Sequence, residues 1–199
     1  MLKRWLQLQQ TSNNLKISHQ VPDFLLQMAE EFHQIGINSA INAKKDSEKR
    51  LRHIVAGAVN MGFAAELLIK GLLLVTAKKS PWDHKLTDLF SLLDQSIKRQ
   101  IESKFNEQQL KPNTEDSLRS YIFTIAKEDE KKNNYSLDTS FENFLNTHDK
   151  TFETWRYVHE VPEDGFSYQM EFESMNNFIK ILLEILDSIE WEGRFHRLH

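Results

Sequence analysis

The aromatic stretch TFETWRYVHE, residues 151–160, places Arg156 three residues ahead of His159. An arginine can stabilise negative charge on a phosphate group, and a histidine can transfer a proton near neutral pH. Side chains three residues apart on a helix are neighbours, so this pair could converge on one small group. The alternative is structural, with Arg156 paired to Glu153 or Glu160 and His159 hydrogen-bonded within an aromatic interface. The two residues alone leave both interpretations open.

Three further side chains could support a site. Glu66 and Lys70 have i, i+4 spacing in an otherwise apolar stretch, and we expect them chiefly to satisfy each other. His84 follows Ser80 and Pro81, which look like the start of a helix. We therefore place His84 in the first turn of that helix, where a hydrogen-bonding role is the simpler expectation and a catalytic role the alternative.

Metal and cofactor motifs are weak or missing in the sequence. The chain has no cysteine, which excludes a disulfide, a thiolate zinc site and a cysteine nucleophile. Arg194 and His199 have four residues between them, and His196 and His199 could hold a metal, but no third ligand is evident. There is no glycine-rich phosphate loop. We predict no metal site and no cofactor.

The elements that must position these residues are helices. The chain has only 6 Gly and 4 Pro, and apolar residues recur at helical spacing. We predict helices over about 22–35, 47–77, 80–97, 140–160 and 168–191, and no strand. Residues 106–138 are polar and are predicted to form an insertion that holds one short helix. The prediction is one all-α domain over 1–199, an antiparallel bundle of about five to six helices with its core at about 22–190 and a tail at 192–199.

If residues 141–159 form one helix, its apolar stripe passes close to the pair. On a helical wheel His159 falls on the axis of the stripe and Arg156 lies roughly 60° away. Both side chains would then face a partner surface, unless the helix breaks near residues 146–150. The stripe consists of Phe141, Phe144, Leu145, His148, Phe152 and Trp155.

Charge and hydropathy bear on partners and location. Residues 54–77 are apolar enough to suggest a membrane span, but Glu66 and Lys70 favour a buried core helix. The net charge of −4 argues against a generic nucleic-acid binder, although KKDSEKRLR at 44–52 could form a local basic patch. The amino terminus has no apolar run behind its basic residues, so we expect a cytoplasmic protein without membrane attachment.

Three stretches stand out together: GFAAELLIKGLLL at 62–74, WDHKLTDLFSLL at 82–93 and TFETWRYVHE at 151–160. In this order they resemble the HEPN superfamily, small helical domains found mostly in microbial defence, toxin and RNA-processing systems. The first stretch is similar to the family's long helix with an embedded glutamate and lysine, and the second to its H-x-L turn. The third stands where the family carries an arginine–histidine motif.

The resemblance implies a homodimer with a cleft between the two chains. In active members, an arginine and a histidine four to six residues apart form a metal-independent endoribonuclease. Here only Tyr157 and Val158 lie between Arg156 and His159, and Tyr157 replaces the polar residue that often follows the arginine. Glu66, Lys70, His84, Tyr157 and Glu160 are the candidate supporting residues.

Three hypotheses follow. The first is a divergent HEPN member that binds RNA or a nucleotide, or regulates a partner such as an antitoxin. The second is a metal-independent endoribonuclease that uses Arg156 and His159. The third is a structural dimerisation module.

Overall fold

The fold is a helical bundle with one small sheet. A computed structural model describes residues 20–77, 81–112, 114–125, 139–156 and 166–195. The predicted all-α bundle is confirmed. In chain order, the elements are α1 Gln20–Lys45, α2 Arg50–Ala77, α3 Leu86–Ser91, α4 Gln95–Gln109, β1 Ser120–Ile125, α5 Phe141–Thr147, α6 Thr151–Arg156, β2 Phe166–Glu171 and α7 Phe172–Phe195.

Helix α2 is the centre of the bundle because it is apolar on nearly every side. It packs most extensively against α1, and also against α7, α6 and α3. Among the described residues it is the one helix whose length and composition would suit a membrane span. Its most apolar window is 72% buried inside the fold, as in the core helix of a bundle.

The contacts at the glycines of α2 show in which direction each neighbouring helix runs. Side-chain atoms of Phe172 and Leu186 of α7 lie nearest Gly57 and Gly71, so α7 runs parallel to α2. Helix α1 is joined to α2 by a short turn and runs antiparallel to it, with Gly36 beside Gly57. A β-carbon on Gly57 would lie 2.7 Å from the Phe172 ring, so a larger residue there would push α7 away.

The predicted helix over 140–160 is wrong in one respect, because it breaks into α5 and α6. The backbone N–H of Asp149 bonds the carbonyl of Asn146, and that of Thr151 bonds the carbonyl of His148, so the chain turns with i, i+3 bonds. We call residues 148–150 the α5–α6 corner. The side chain of His148 is buried at this corner and bridges it to β2.

The prediction that the chain has no strand is also wrong. Residues 120–125, expected within a short helix, form β1, which pairs antiparallel with β2 from Ser120↔Glu171 to Ile125↔Phe166. The last helix therefore begins at Phe172 and not near Tyr168. The sequence SYIFTI is rich in β-branched and aromatic residues, and its pairing partner lies more than forty residues away.

The predicted helix over 80–97 begins late and is divided into α3 and α4. Ser80 lies outside the described residues, and helix α3 begins only at Leu86. Asp149 supplies the cap from a distant part of the chain, since its carboxylate accepts the backbone N–H of Thr87 at 2.9 Å. His84 consequently precedes the helix and does not lie in its first turn.

Candidate functional site

Arg156 lies at the outer end of a stack of aromatic rings. Its guanidinium carbon is 4.8 Å from the centroid of the Phe152 ring, which is a cation–π contact. Phe152 stacks on Phe63 with centroids 4.7 Å apart, and Phe63 meets Phe32 edge-on at 4.8 Å. Phe152, Phe63 and Phe32 belong to α6, α2 and α1. Rings from three helices therefore support the exposed arginine.

Helix α6 is held tightly enough to position that arginine. A β-carbon on Gly62 would lie 2.9 Å from the backbone nitrogen of Phe152, so only glycine lets α6 approach α2 this closely. On its inner face α6 buries Trp155, whose ring lies 5.4 Å from that of Tyr168 in β2. The helix thus has one anchored face and one exposed end that carries Arg156.

The histidine of the predicted Arg156–His159 pair, and two of the supporting residues, lie outside the described residues. His159, Tyr157 and Glu160 fall there, as do His196 and His199 of the tail. The convergence of Arg156 and His159 therefore stays a prediction. The apolar stripe, expected to face a partner surface, packs in the core instead, with Phe152 half-buried and its other members, Phe141, Phe144, Leu145, His148 and Trp155, buried.

The structure brings together three of the predicted supporting residues. Glu66 is only 2% exposed, and its Oε1 accepts a hydrogen bond from Lys70 Nζ at 2.8 Å. The same oxygen lies 2.9 Å from Nδ1 of His84. The other oxygen, Oε2, is buried and has no hydrogen-bond partner among the described residues. A carboxylate, an ammonium group and an imidazole therefore form one compact network at the surface of α2.

The carboxylate fixes the orientation of His84. An ionised Glu66 can only accept, so Nδ1 of His84 donates to it, and in the neutral imidazole Nε2 is then the acceptor. The side chain is 47% exposed, and Nε2 bonds to no residue that the structure describes. The carboxylate of the preceding Asp83 accepts the backbone N–H groups of His84 and Lys85. The hydrogen bond from Lys85 is the main cause that lowers the pKa of Asp83.

Sequence reasoning missed what two buried histidines do. His148 donates from Nδ1 to the carbonyl of Phe144 at 2.9 Å and accepts the Glu171 N–H on Nε2 at 3.2 Å. Burial lowers the pKa of His148, which keeps it neutral and suited to both bonds. His33 of α1 likewise bonds Asn176 of α7 at 2.9 Å, and burial lowers its pKa. A lone polar residue within an apolar stripe was the available signal.

An open groove of about 310 Å³ lies between the α5–α6 corner and β2. Its lining is largely polar and includes Asn146, Lys150, Thr154, Tyr168 and Gln169. The described residues contain no group of three or more histidine, aspartate or glutamate side chains placed to hold a metal ion. The groove is therefore a polar recess beside the N-terminal end of α6, the helix that carries Arg156.

The basic stretch at 44–52 spans the end of α1, the turn at 46–49 and the start of α2. Lys44 donates to the carbonyl of Glu115, and Arg50 donates from Nε to the carbonyl of Ala43 at 3.2 Å. Two of its cations thus hold backbone carbonyls. The exposed remainder is Lys45, Lys49 and Arg52.

Comparison with known proteins agrees with the helical fold and with the resemblance seen in the sequence. A family model described as HEPN domain matches residues 25–190, which is most of the chain. No characterised protein and no solved structure gives a match. The matched range runs from α1 into α7 and includes Glu66, His84 and Arg156. The chain belongs to the HEPN family.

Proposed function

We propose that this protein is a HEPN member that binds single-stranded RNA, with Arg156 as a contact to the phosphate backbone. The observation that carries this proposal is the position of Arg156, whose exposed guanidinium packs on Phe152 at the end of a firmly packed helix. The family is often linked to ribonuclease and defence roles, which makes RNA the ligand class to expect.

The stacked arrangement suits phosphate recognition. A cation–π contact uses the face of the guanidinium, whereas phosphate is bound by its N–H edge. Packing on Phe152 therefore holds Arg156 by the face of its guanidinium. Lys150, exposed at the α5–α6 corner and lining the polar groove, supplies a second cation near the same helix. A local pair of cations can bind a phosphate chain although the net charge is −4.

The proposal includes a homodimer, because the family builds its cleft between two chains. On α1, Phe24 and Ile35 are exposed and eleven residues apart, so they lie on one face of the helix. The neighbouring face carries Phe32, the inner ring of the stack beneath Arg156. A second copy packed there would bury the exposed Phe24 and Ile35. Sedimentation of the parent and of Ile35→Glu tests this, and the variant should be monomeric.

The direct test is fluorescence anisotropy with a labelled single-stranded RNA in EDTA. Arg156→Ala should bind about tenfold more weakly, since a hydrogen bond to a charged group contributes at least about 1.5 kcal/mol. Arg99→Ala is the matched control, because Arg99 is also exposed but lies on α4, which packs against α7 and α5. An equal loss of RNA affinity in the two variants would show that Arg156 contributes only general positive charge, which would contradict the proposal.

The same samples, run on a denaturing gel, test the ribonuclease alternative. Cleavage by the parent in EDTA that is lost in both Arg156→Ala and His159→Ala would show that the pair is catalytic. Intact RNA together with binding would support a binding role. Absence of both would leave the structural dimerisation module as the better account.

A further inference from the structure

An exposed tryptophan stands close in the sequence to His84 of the Glu66 network. Trp82 is 77% exposed and stands two residues before His84. A single exposed apolar residue is common on a protein surface. Here the exposed indole stands two residues before an imidazole that a buried carboxylate holds in one orientation, so the two side chains form one candidate site.

The charge balance of the network shows that His84 is not needed to neutralise Glu66. Lys70 already forms an ion pair with the same carboxylate oxygen at 2.8 Å. Nδ1 of His84 donates to Glu66, and Nε2 of this half-exposed side chain bonds to no residue that the structure describes. A carboxylate that orients a histidine and leaves its other nitrogen available is the arrangement by which proteins prepare a histidine to act on a ligand.

A purely structural role explains less. His84 could serve only to attach the segment after α2 to that helix. That attachment is already made nearby, since Asp149 accepts the backbone N–H groups of Leu86 and Thr87. It also does not account for Nε2, which has no partner among the residues that the structure describes, or for the exposed indole of Trp82.

We propose that Trp82 and His84 form a stacking site for one unpaired RNA base. The base would lie on the face of the indole, and His84 Nε2 would accept a hydrogen bond from an N–H on its edge. Unstacked bases are bound in this way, by an aromatic face together with hydrogen bonds to the base edge. This inference rests on the proposed function and adds a base contact to the phosphate contact at Arg156.

The experiment compares a single-stranded RNA with an abasic strand of the same length, which keeps the sugar–phosphate backbone. Trp82→Ala should weaken binding of the normal strand roughly tenfold and leave the abasic strand unchanged. Leu110→Ala is the matched control, since Leu110 is a large apolar residue that is 85% exposed. RNA should also quench tryptophan fluorescence in the parent and much less in Trp82→Ala.

His84→Asn separates the ligand contact from the structural one. The asparagine amide can still donate to Glu66 in place of Nδ1, whereas no group replaces Nε2. We expect an unchanged melting temperature with weaker binding of the normal strand. Parent-like affinity for that strand in both Trp82→Ala and His84→Asn would overturn the inference.

The two proposals fail in different ways. If Arg156→Ala weakens binding and Trp82→Ala does not, the proposed function stands and the base site is refuted. If the parent binds neither strand, both are refuted. A loss in Trp82→Ala that is equal for normal and abasic strands would also refute base stacking.

Discussion

Gly62→Ala should loosen the helix that carries Arg156. The added β-carbon would lie 2.9 Å from the backbone nitrogen of Phe152 and 2.9 Å from Cγ2 of Thr151. A backbone atom cannot rotate away, so α6 must shift as a unit. Overpacking of this kind costs about 1–3 kcal/mol. Alanine also gains about 0.8–1.0 kcal/mol of helix propensity over glycine, which partly offsets that cost.

Gly71→Ala on the same helix is the matched control, because it brings the same gain in helix propensity as Gly62→Ala. Its β-carbon would meet only the tip of Leu186, at 3.4 Å, and that side chain can adjust. Gly71→Ala should therefore be neutral or slightly stabilising. The difference in unfolding free energy between the two variants isolates the clash, at about 1–3 kcal/mol, or about 2–12 °C in melting temperature for a chain of this size.

The assay is thermal and urea unfolding of both variants, followed by RNA binding under conditions in which each is folded. Gly62→Ala should be the less stable variant and the weaker RNA binder, and Gly71→Ala should bind like the parent. Equal stability of Gly62→Ala and Gly71→Ala would show that α6 does not pack closely on α2. The argument that this packing positions Arg156 would then be wrong.

Three further predictions concern the network and the corner. Burial lowers the pKa of His148 below its ordinary 6.5, so the unfolded chain takes up a proton first as the pH falls. Melting temperature should thus hold above about pH 6.5 and fall below it, and an increase between pH 6.5 and 5 would contradict this sign. Asp149→Ala should cost about 1 kcal/mol in urea unfolding through the lost cap of α3, while Asp149→Asn should retain most of it. Glu66→Ala should cost about 3 kcal/mol in the same assay because Lys70 is left without its partner; an unchanged midpoint would show that the network contributes nothing to stability.

The long helices could be predicted from the sequence because their signals are local. Apolar residues on every side of 54–77 indicate a central helix, and α2 is that helix. The spacing of Glu66 and Lys70 likewise predicts a pair, since i, i+4 geometry is set within one helix.

The features that were missed depend on contacts between distant parts of the chain. Strand β1 is defined by pairing with β2, and helix α3 is capped by Asp149, 62 residues away. His84 joins Glu66 only because the chain turns back after α2. Propensity within a short window cannot anticipate any of these.

The measurement that tests the central claim most directly is the salt dependence of RNA binding by the parent and Arg156→Ala in EDTA. Each phosphate contact on a single strand contributes a slope of about −0.7 to log K against log salt. We predict that the parent binds and that Arg156→Ala weakens binding and makes the slope shallower by about 0.7. A parent that binds no RNA, or a variant with the parent's affinity and slope, would contradict the assignment of Arg156 as a phosphate contact.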